Sequence, residues 1–158
     1  MLSVKESPKN IENFKKLKKL AKKVIKVLKE LKIKPIAWGG IAYFAYTRNK
    51  EYIIRDIDLL IPKKDFDKVM NELKERKFDY KFIKEWNLII ISEDNVKVEL
   101  DPIEKYAKVL NFEDFDFDGL SINIVSLREL IRMYKIGSKL NKENPGIHKK
   151  RYEELSKL

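Results

Sequence analysis

One stretch of the sequence, residues 38–62, constrains the fold more than any other: WGGIAYFAYTRNKEYIIRDIDLLIP. Its second half, residues 52–61, is rich in apolar and β-branched residues and predicts a strand that stops at Pro62. Side chains alternate between the two faces of a strand, so Asp56 and Asp58 share one face and the intervening apolar residues share the other. The stretch therefore predicts a strand that turns an apolar face to the core and a pair of carboxylates away from it.

The carboxylate pair favours a metal site, because Mg²⁺ in proteins takes one or two carboxylates together with waters and phosphate oxygens. The Asp-X-Asp pattern alone is weak evidence. It occurs four times, at Asp56/Asp58, Asp65/Asp67, Asp114/Asp116 and Asp116/Asp118. Only the first lies in an apolar strand; the second begins a predicted helix, where acids favour the positive end of the helix dipole. The last two lie in an acidic stretch that predicts a loop.

The Gly39-Gly40 pair strengthens the case for a functional site. It follows a short apolar strand and precedes a predicted helix. Glycines at such a turn let backbone N–H groups approach an anion at the positive end of the helix. A phosphate site beside a magnesium site is the combination needed to transfer a nucleotidyl group.

Length and composition exclude several classes of protein. The 158 residues predict one domain, 1–158, with a core of about 34–104 and C-terminal helices of about 126–158. Cysteine is absent and His148 is the only histidine, which excludes disulfides, thiolate metal sites and multi-histidine zinc sites. No apolar run approaches the roughly 20 residues that span a bilayer, and the first residues lack the apolar segment of a signal peptide. We therefore expect a cytoplasmic protein with no membrane partner.

The net charge of +10 favours a polyanionic partner, such as a nucleoside triphosphate or RNA. Lysines on solvated helix faces explain the same excess equally well. A charged content of 38% also resembles the Lys and Glu enrichment of heat-adapted proteins.

Helices and strands do not strictly alternate along the chain, which is typical of an α+β fold. We predict a small mixed β-sheet with flanking helices, and C-terminal helices that close one side of a cleft. Ser7-Pro8 predicts the start of the first helix, and Ser126 with Glu129 predicts a capping box before a later one. The predicted helices are 8–31, 41–48, 65–77, 127–140 and 147–157, the last after a breaker at 144–146; the predicted strands are 35–38, 52–61, 78–82, 86–92, 96–103 and 120–125, with a loop at 111–119.

Three motifs in residues 36–103 resemble the nucleotidyltransferase superfamily, whose prototype is DNA polymerase beta. They are Gly39-Gly40, Asp56-Ile57-Asp58 fifteen residues later, and the acid-bearing strand Val98-Glu99-Leu100-Asp101-Pro102-Ile103. Their spacing is most similar to the lincosamide and aminoglycoside nucleotidyltransferases and the toxin-type nucleotidyltransferases. The resemblance implies that the third strand supplies a third carboxylate. It favours Glu99, where Asp is usual, with Asp101 as the second choice.

The resemblance also implies a mechanism with two Mg²⁺ ions and a nucleoside triphosphate (NTP) as substrate. Asp56 and Asp58 would bridge the ions, and Glu99 would complete the ion nearer the acceptor. Glu99 or Asp101 could take the proton of the acceptor hydroxyl. Gly39 and Gly40 would hold the β- and γ-phosphates through backbone N–H groups.

Several basic residues are candidate phosphate contacts. Arg48 precedes the predicted strand of the aspartates and Arg55 lies within it, although an edge or surface charge explains Arg55 equally well. Arg128, Arg132, Lys135 and Lys139 form one basic stripe on a predicted helix, and of these we favour Lys135. A solvated helix face is the equal alternative. His148, after a Pro-Gly turn, is expected to be exposed and without a functional role.

Two classes of function remain open from the sequence. The first is a magnesium-dependent nucleotidyltransferase that moves a nucleoside monophosphate from NTP to a hydroxyl of a small molecule, an RNA end or a protein. The second is a non-catalytic module on the same fold that binds nucleic acid or a partner protein, as an antitoxin or regulatory subunit does. The chain carries no separate acceptor-binding domain, so the C-terminal helices or a partner subunit would do that work.

Overall fold

The computed structural model describes residues 1–140 and 145–158, except for the side chains of residues 138–140 and 145. Five helices lie within these residues: α1 Ile11–Glu30, α2 Gly39–Thr47, α3 Phe66–Glu75, α4 Leu127–Leu140 and α5 Pro145–Leu155. Eight strands are β1 Leu2–Ser3, β2 Ile36–Trp38, β3 Asp56–Ile61, β4 Asp79–Ile83, β5 Leu88–Glu93, β6 Val96–Pro102, β7 Phe112–Phe117 and β8 Leu120–Val125. Short 3₁₀ turns cover Lys63–Asp65, Lys84–Trp86 and Ile103–Lys105.

All eight strands form one mixed sheet in the order β1-β7-β8-β2-β3-β6-β5-β4. Pairs β1/β7, β8/β2 and β3/β6 are parallel, and the other neighbours are antiparallel. This architecture confirms the α+β prediction. The sheet is larger than the small one predicted, because β1 and β7 extend it beyond β8.

The register of the central strands gathers the acids. Asp58 of β3 lies opposite Trp38 of β2 on one side and Glu99 of β6 on the other. Residues directly opposite each other in neighbouring strands project from the same face of a sheet, so these three side chains are neighbours. The alternate residues Ile57, Leu59 and Ile61 are fully buried, as the strand pattern predicts.

Helix α1 packs its apolar stripe on the sheet and leaves its lysines outside. The stripe consists of Phe14, Leu17, Leu20, Ala21, Val24, Val27 and Leu28, all buried. The predicted helix start was wrong: Ser7 and Pro8 precede the helix, which begins at Ile11. The Asn10 side chain does not cap the helix. It exchanges two hydrogen bonds with the backbone of Ile54, at 2.7 and 3.3 Å, and so fixes the segment that leads into β3.

Two other predictions near the acids need correction. The strand predicted over residues 52–61 begins only at Asp56, because residues 52–55 run outside the sheet as a separate segment. The helix predicted at residues 41–48 begins two residues earlier, so Gly39 and Gly40 form its first turn. With the observed boundaries, the glycines and the segment before β3 lie at the same end of the strand that carries Asp56 and Asp58.

The loop predicted at residues 111–119 is strand β7. Its sequence, Phe112 to Phe117, alternates apolar and acidic residues at the end of the strand. Phe115 and Phe117 are buried in the core while Asp114 is exposed. The acidic composition of this stretch favours a loop, whereas its period-two pattern predicts a strand.

The C-terminal helices agree with prediction at one end and differ at the other. Helix α4 has the predicted bounds, and Ser126 Oγ accepts a hydrogen bond from the Glu129 amide at 3.3 Å, as in a capping box. Helix α5 begins at Pro145, so Pro145 and Gly146 are not a breaker ahead of it. The predicted breaker residue Asn144 lies outside the described residues. In the described parts of the chain, none of the helices has the length and apolar character needed to cross a membrane.

Candidate active site

The three acids singled out from the sequence lie on neighbouring strands. Asp56, Asp58 and Glu99 are all half-buried. Burial, followed by the charge of Asp56 and a hydrogen bond and charge interaction with Glu99, raises the pKa of Asp58 well above its usual value. Burial and the Glu99 charge also raise the pKa of Asp56, against the lowering effect of Lys97, Arg151 and Arg55. The carboxylates therefore repel one another in the absence of a cation.

Asp101 shares the face of Glu99 but has a different environment. It lies two residues further along β6, opposite Leu60, and is only 9% exposed. Its Oδ1 accepts a hydrogen bond from Lys105 Nζ at 2.8 Å. Burial raises the pKa of Asp101, and the Lys105 contact lowers it in part. Register therefore brings Glu99, rather than Asp101, beside Asp58.

The three carboxylates are oxygen ligands of the type that Mg²⁺ prefers, but their side chains are not in the positions of metal ligands. Within the residues that the structure describes, no group of three His, Cys, Asp or Glu side chains is assembled closely enough to hold a metal ion as it stands. The carboxylates of Asp56, Asp58 and Glu99 are nevertheless hard-oxygen ligands whose mutual repulsion a divalent cation would remove. These residues fit Mg²⁺ by their donor type and charge, and binding would require their side chains to turn.

The two glycines bring the helix start into contact with the acids. Gly39 has a φ of +69°, a conformation that glycine adopts without strain, and a Cβ at this position would collide with Asp58 Oδ2. A Cβ on Gly40 would come within 2.7 Å of the Tyr52 hydroxyl. Trp38, the residue before the helix, makes no side-chain cap to it. The first N–H groups of α2 therefore lie beside Asp58 with no side-chain cap from Trp38.

A cavity with a volume of about 510 Å³ opens over these elements, and we call it the polar cavity. Its walls come from α2, the segment before β3, β3 itself and α5. The lining residues are Gly40, Glu51, Tyr52, Ile53, Arg55, Asp56, Asp58, Ile147 and Arg151. Helix α5 thus closes one side of the site, as expected of the C-terminal helices.

Arg151 of α5 is the main residue of this cavity that the sequence did not indicate. Its guanidinium lies 5.1 to 5.5 Å from the ring centres of Tyr43, Tyr52 and Tyr134. It donates hydrogen bonds to the Tyr134 hydroxyl at 3.1 Å and to the Tyr52 hydroxyl. Three rings and two hydroxyls hold the cation at the rim of the acid site. A lone arginine in a Lys- and Glu-rich helix carries no sequence signal for such a position.

The predicted basic residues are placed unequally. Arg55 is exposed and lines the polar cavity. Arg48 ends α2 at the opposite end from the glycines, where its Nη1 contacts Glu6 Oε2 at 2.8 Å, and it does not line this cavity. Lys135 is exposed on α4 and does not line it either.

Two other members of the predicted α4 stripe, Arg128 and Arg132, do not line the polar cavity either. Arg128 is exposed, and Arg132 donates to Glu129 Oε2 at 2.8 and 3.1 Å. The side chain of Lys139 lies outside the described residues. His148, expected to be exposed, is half-buried against Gly137 and 5.5 Å from the Tyr134 ring.

Comparison with solved structures identifies the architecture. An antigenic nucleotidyltransferase-like protein from Paracoccidioides brasiliensis superposes with a TM-score of 0.66 at 14% identity, over 94% of this chain and 77% of that one. ANT(2'')-Ia in complex with adenylyl-2''-tobramycin gives a TM-score of 0.64 at 13% identity, over 89% and 87% of the two chains. The chain has a nucleotidyltransferase-like fold.

A third structure of the same architecture is the lincomycin-bound lincosamide antibiotic adenylyltransferase LnuA. It gives a TM-score of 0.57 at 13% identity, over 87% of this chain and 96% of that one. The likeness covers most of the chain rather than the acid strands alone. No protein-family model matches the sequence, and a search of curated proteins finds no match. At identities this low, the superpositions establish only the nucleotidyltransferase-like fold, and the reaction must be argued from the site.

Proposed function

We propose that the protein is a magnesium-dependent nucleotidyltransferase that moves a nucleoside monophosphate from NTP to a hydroxyl acceptor. The observation that carries this proposal is the contact between the uncapped start of α2 and the aspartate strand, since a Cβ on Gly39 would overlap Asp58. A helix start that suits phosphates adjoins carboxylates that suit Mg²⁺. The nucleotidyltransferase-like fold supports the same reaction class.

The acids would have distinct roles. Asp56, Asp58 and Glu99 would hold Mg²⁺, because register makes them neighbours on one face of the sheet. A bound Mg²⁺ would neutralise the triphosphate and make the acceptor hydroxyl easier to deprotonate. Asp101, engaged by Lys105, would act on the site by positioning β6 rather than by binding the metal.

The chemical step breaks a phosphoanhydride bond of NTP and forms a phosphate ester with the acceptor. The acceptor oxygen forms a bond to the α-phosphorus of NTP, and the bond from that phosphorus to the bridging oxygen of the β-phosphate breaks. Pyrophosphate leaves with those electrons, and the hydroxyl proton passes to Glu99 or to water. The chain's contribution is to orient the two substrates and to balance their charge.

The triphosphate would lie in the polar cavity. The N–H groups of Gly39 and Gly40 would face its β- and γ-phosphates, and the cations of Arg55 and Arg151 line the same space. Arg151 is the stronger candidate of the two, because its guanidinium is already held by Tyr52 and Tyr134 while Arg55 is exposed. Its geometry needs little reorganisation to meet an anion.

The decisive experiment is transfer from radiolabelled NTPs with Mg²⁺, in the presence of candidate hydroxyl acceptors, alongside metal-dependent binding of a non-hydrolysable NTP analogue. We expect Asp56→Ala and Asp58→Ala to lose both transfer and metal-dependent binding. The matched control is Asp114→Ala, which removes an exposed aspartate from another Asp-X-Asp strand pattern. If the wild type binds no analogue with Mg²⁺, or if both aspartate variants behave as wild type, the proposal is wrong.

The same variants test the alternative of a non-catalytic module. A module that uses the +10 charge to hold RNA would bind it with a strong salt dependence, because phosphate contacts release counterions. Such binding would persist after Asp56→Ala and Asp58→Ala. Persistent RNA binding without metal-dependent nucleotide binding would therefore favour the module over the enzyme.

A further inference from the structure

A second cavity is lined in part by residues next to those of the polar cavity, and four of its eight lining residues carry rings; we call it the aromatic cavity. Its volume is about 570 Å³, and it is lined by Trp38, Trp86, Lys105, Tyr106, Met133, Ile136, Gly137 and His148. That volume lies within the range of roughly 300–1,000 Å³ that is typical of small-molecule sites. Asp58 lines the polar cavity, and its sheet neighbour Trp38 lines the aromatic one. Consecutive α5 residues Ile147 and His148 likewise line one each.

Two rings of the aromatic cavity contact each other, and a third is exposed. Trp38 and Tyr106 lie with ring centres 4.8 Å apart. Trp86 is 56% exposed at the end of its 3₁₀ turn, and Lys105 Nζ donates to its carbonyl oxygen. A large exposed indole on a tethered turn offers a ring face on which a planar ligand can stack.

Trp38, one of the lining residues, carries a donor that lacks an acceptor in the described part of the chain. Trp38 Nε1 is buried and has no hydrogen-bond partner among the described residues. A buried N–H without an acceptor costs free energy, so a ligand with an acceptor atom on the edge of its ring would stabilise this site.

The charge of the aromatic cavity differs from that of the polar cavity. None of the lining residues within the described chain is an acid, and Lys105 forms part of the wall. Arg132, one helical turn from Ile136, donates to the Tyr106 carbonyl at 3.1 Å and adds a second cation beside it. These cations favour a neutral or anionic ligand and disfavour a polycationic one.

We propose that the aromatic cavity binds the acceptor and that the acceptor is a nucleotide unit: a nucleobase bearing a ribose hydroxyl, with phosphate beside it. The base would stack on Trp86 and Tyr106, with a ring-edge acceptor atom toward the Trp38 N–H. The phosphate would lie toward Lys105 and Arg132. Since Trp38 adjoins Asp58, the ribose hydroxyl would reach the acids and attack the α-phosphorus of NTP, with pyrophosphate leaving. This inference rests on the proposed function and specifies its acceptor.

The experiment measures a second ligand while the first is bound. The protein is saturated with Mg²⁺ and a non-hydrolysable ATP analogue, and either AMP or a short single-stranded oligoribonucleotide with a free 3′ hydroxyl is titrated in by calorimetry. We expect further binding that Trp86→Ala weakens about tenfold, as loss of one stacking platform does, with no change in analogue affinity. The stronger of the two titrants shows whether the unit is a free nucleotide or an RNA end.

Two variants control for the loss of a ring as such. Trp86→Phe keeps a stacking face and should retain most of the affinity for the second ligand. Phe112→Ala removes another exposed ring, from β7, and should change nothing. Because Trp86 is exposed, its replacement leaves the core intact.

Each other result has a definite meaning. If the analogue binds and neither titrant does, or if Trp86→Ala binds the second ligand as the wild type does, the acceptor assignment is wrong while the proposed function stands. If Trp86→Ala weakens the analogue instead, the cavity holds the base of the donor and the assignment is again wrong. If the analogue itself does not bind with Mg²⁺, the proposed function fails and this inference fails with it.

Discussion

The polar and aromatic cavities are lined by neighbouring residues and differ in how their charged side chains are paired. In the polar cavity, two aspartates face Arg151 and Arg55, and the acids are left mutually repelling. In the aromatic cavity, the wall cation Lys105 is already paired with Asp101 at 2.8 Å. The first therefore needs a charged ligand and a cation, whereas the second selects mainly by shape and stacking, and its paired cations favour a phosphate over a cationic group. Variants that affect one cavity and spare the other test this division.

Among changes that leave the acids themselves in place, the largest expected effect is that of Gly39→Ala on the polar cavity. A Cβ at a φ of +69° is strained and overlaps Asp58, so the carboxylate must move. Displacing a catalytic group by about 1 Å costs on the order of 100-fold in rate, and we expect transfer to fall by that much. The measurement is kcat for NTP transfer, with Gly146→Ala as the control because a Cβ there meets nothing within 4 Å. Equal rates in both variants would show that Gly39 does not shape the site.

Arg151→Gln should raise the KM for NTP by about tenfold or more, since a hydrogen bond to a charged group contributes roughly 1.5–3 kcal/mol. Arg55→Gln should have a smaller effect, because an exposed charge is screened by solvent and salt. Neither change should alter binding in the aromatic cavity. Steady-state kinetics over a range of NTP concentrations give the ranking, and a larger effect at Arg55 would contradict the assignment of Arg151.

Asp58→Asn should abolish transfer. It should also stabilise the metal-free protein, raising its Tm by about 2–4 °C for each kcal/mol of carboxylate repulsion removed. The folded-state pKa of Asp58 is raised, so the stability that its neutral form contributes is complete in acid and is lost as pH rises through that pKa. The gain should therefore be largest at neutral pH. Thermal melts in chelator measure it, with exposed Asp114→Asn as the control. A lower Tm for Asp58→Asn would mean that the carboxylates do not repel.

The smallest effect concerns His148, which lines the aromatic cavity. Burial first, and the Arg151 charge second, lower its pKa below the usual value, so folding favours the neutral ring. Its contribution to stability is present above the unfolded pKa and is lost as pH falls through the folded one. Lowering the pH from about 7.5 to about 5.5 should therefore loosen α5, and His148→Gln should lack this component. Amide exchange in α5 reports the change, and an identical pH response in the variant would contradict it.

The acid strand could be predicted because its information is local. Period-two alternation places Asp56 and Asp58 on one face whatever the neighbouring strands are, and apolar neighbours require the other face to be buried. Residues 114–117 alternate in the same way, but the acidic composition of the stretch favours a loop, whereas the structure has strand β7 there. Boundaries such as the start of α1 were missed because Asn10 hydrogen-bonds to Ile54, 44 residues away, instead of to its own helix.

The sequence by itself determined the acid pair, the glycine turn, the capped α4 helix and the α+β class, since each follows from the order of a few adjacent residues. Only the tertiary structure decided that Glu99 rather than Asp101 lies beside Asp58, because that depends on the register of two strands that are not adjacent in sequence. Only the tertiary structure brought Arg151 to Tyr52 and Trp38 to Tyr106. Those contacts join segments 99 and 68 residues apart, and packing of the whole core, rather than any local pattern, selects them.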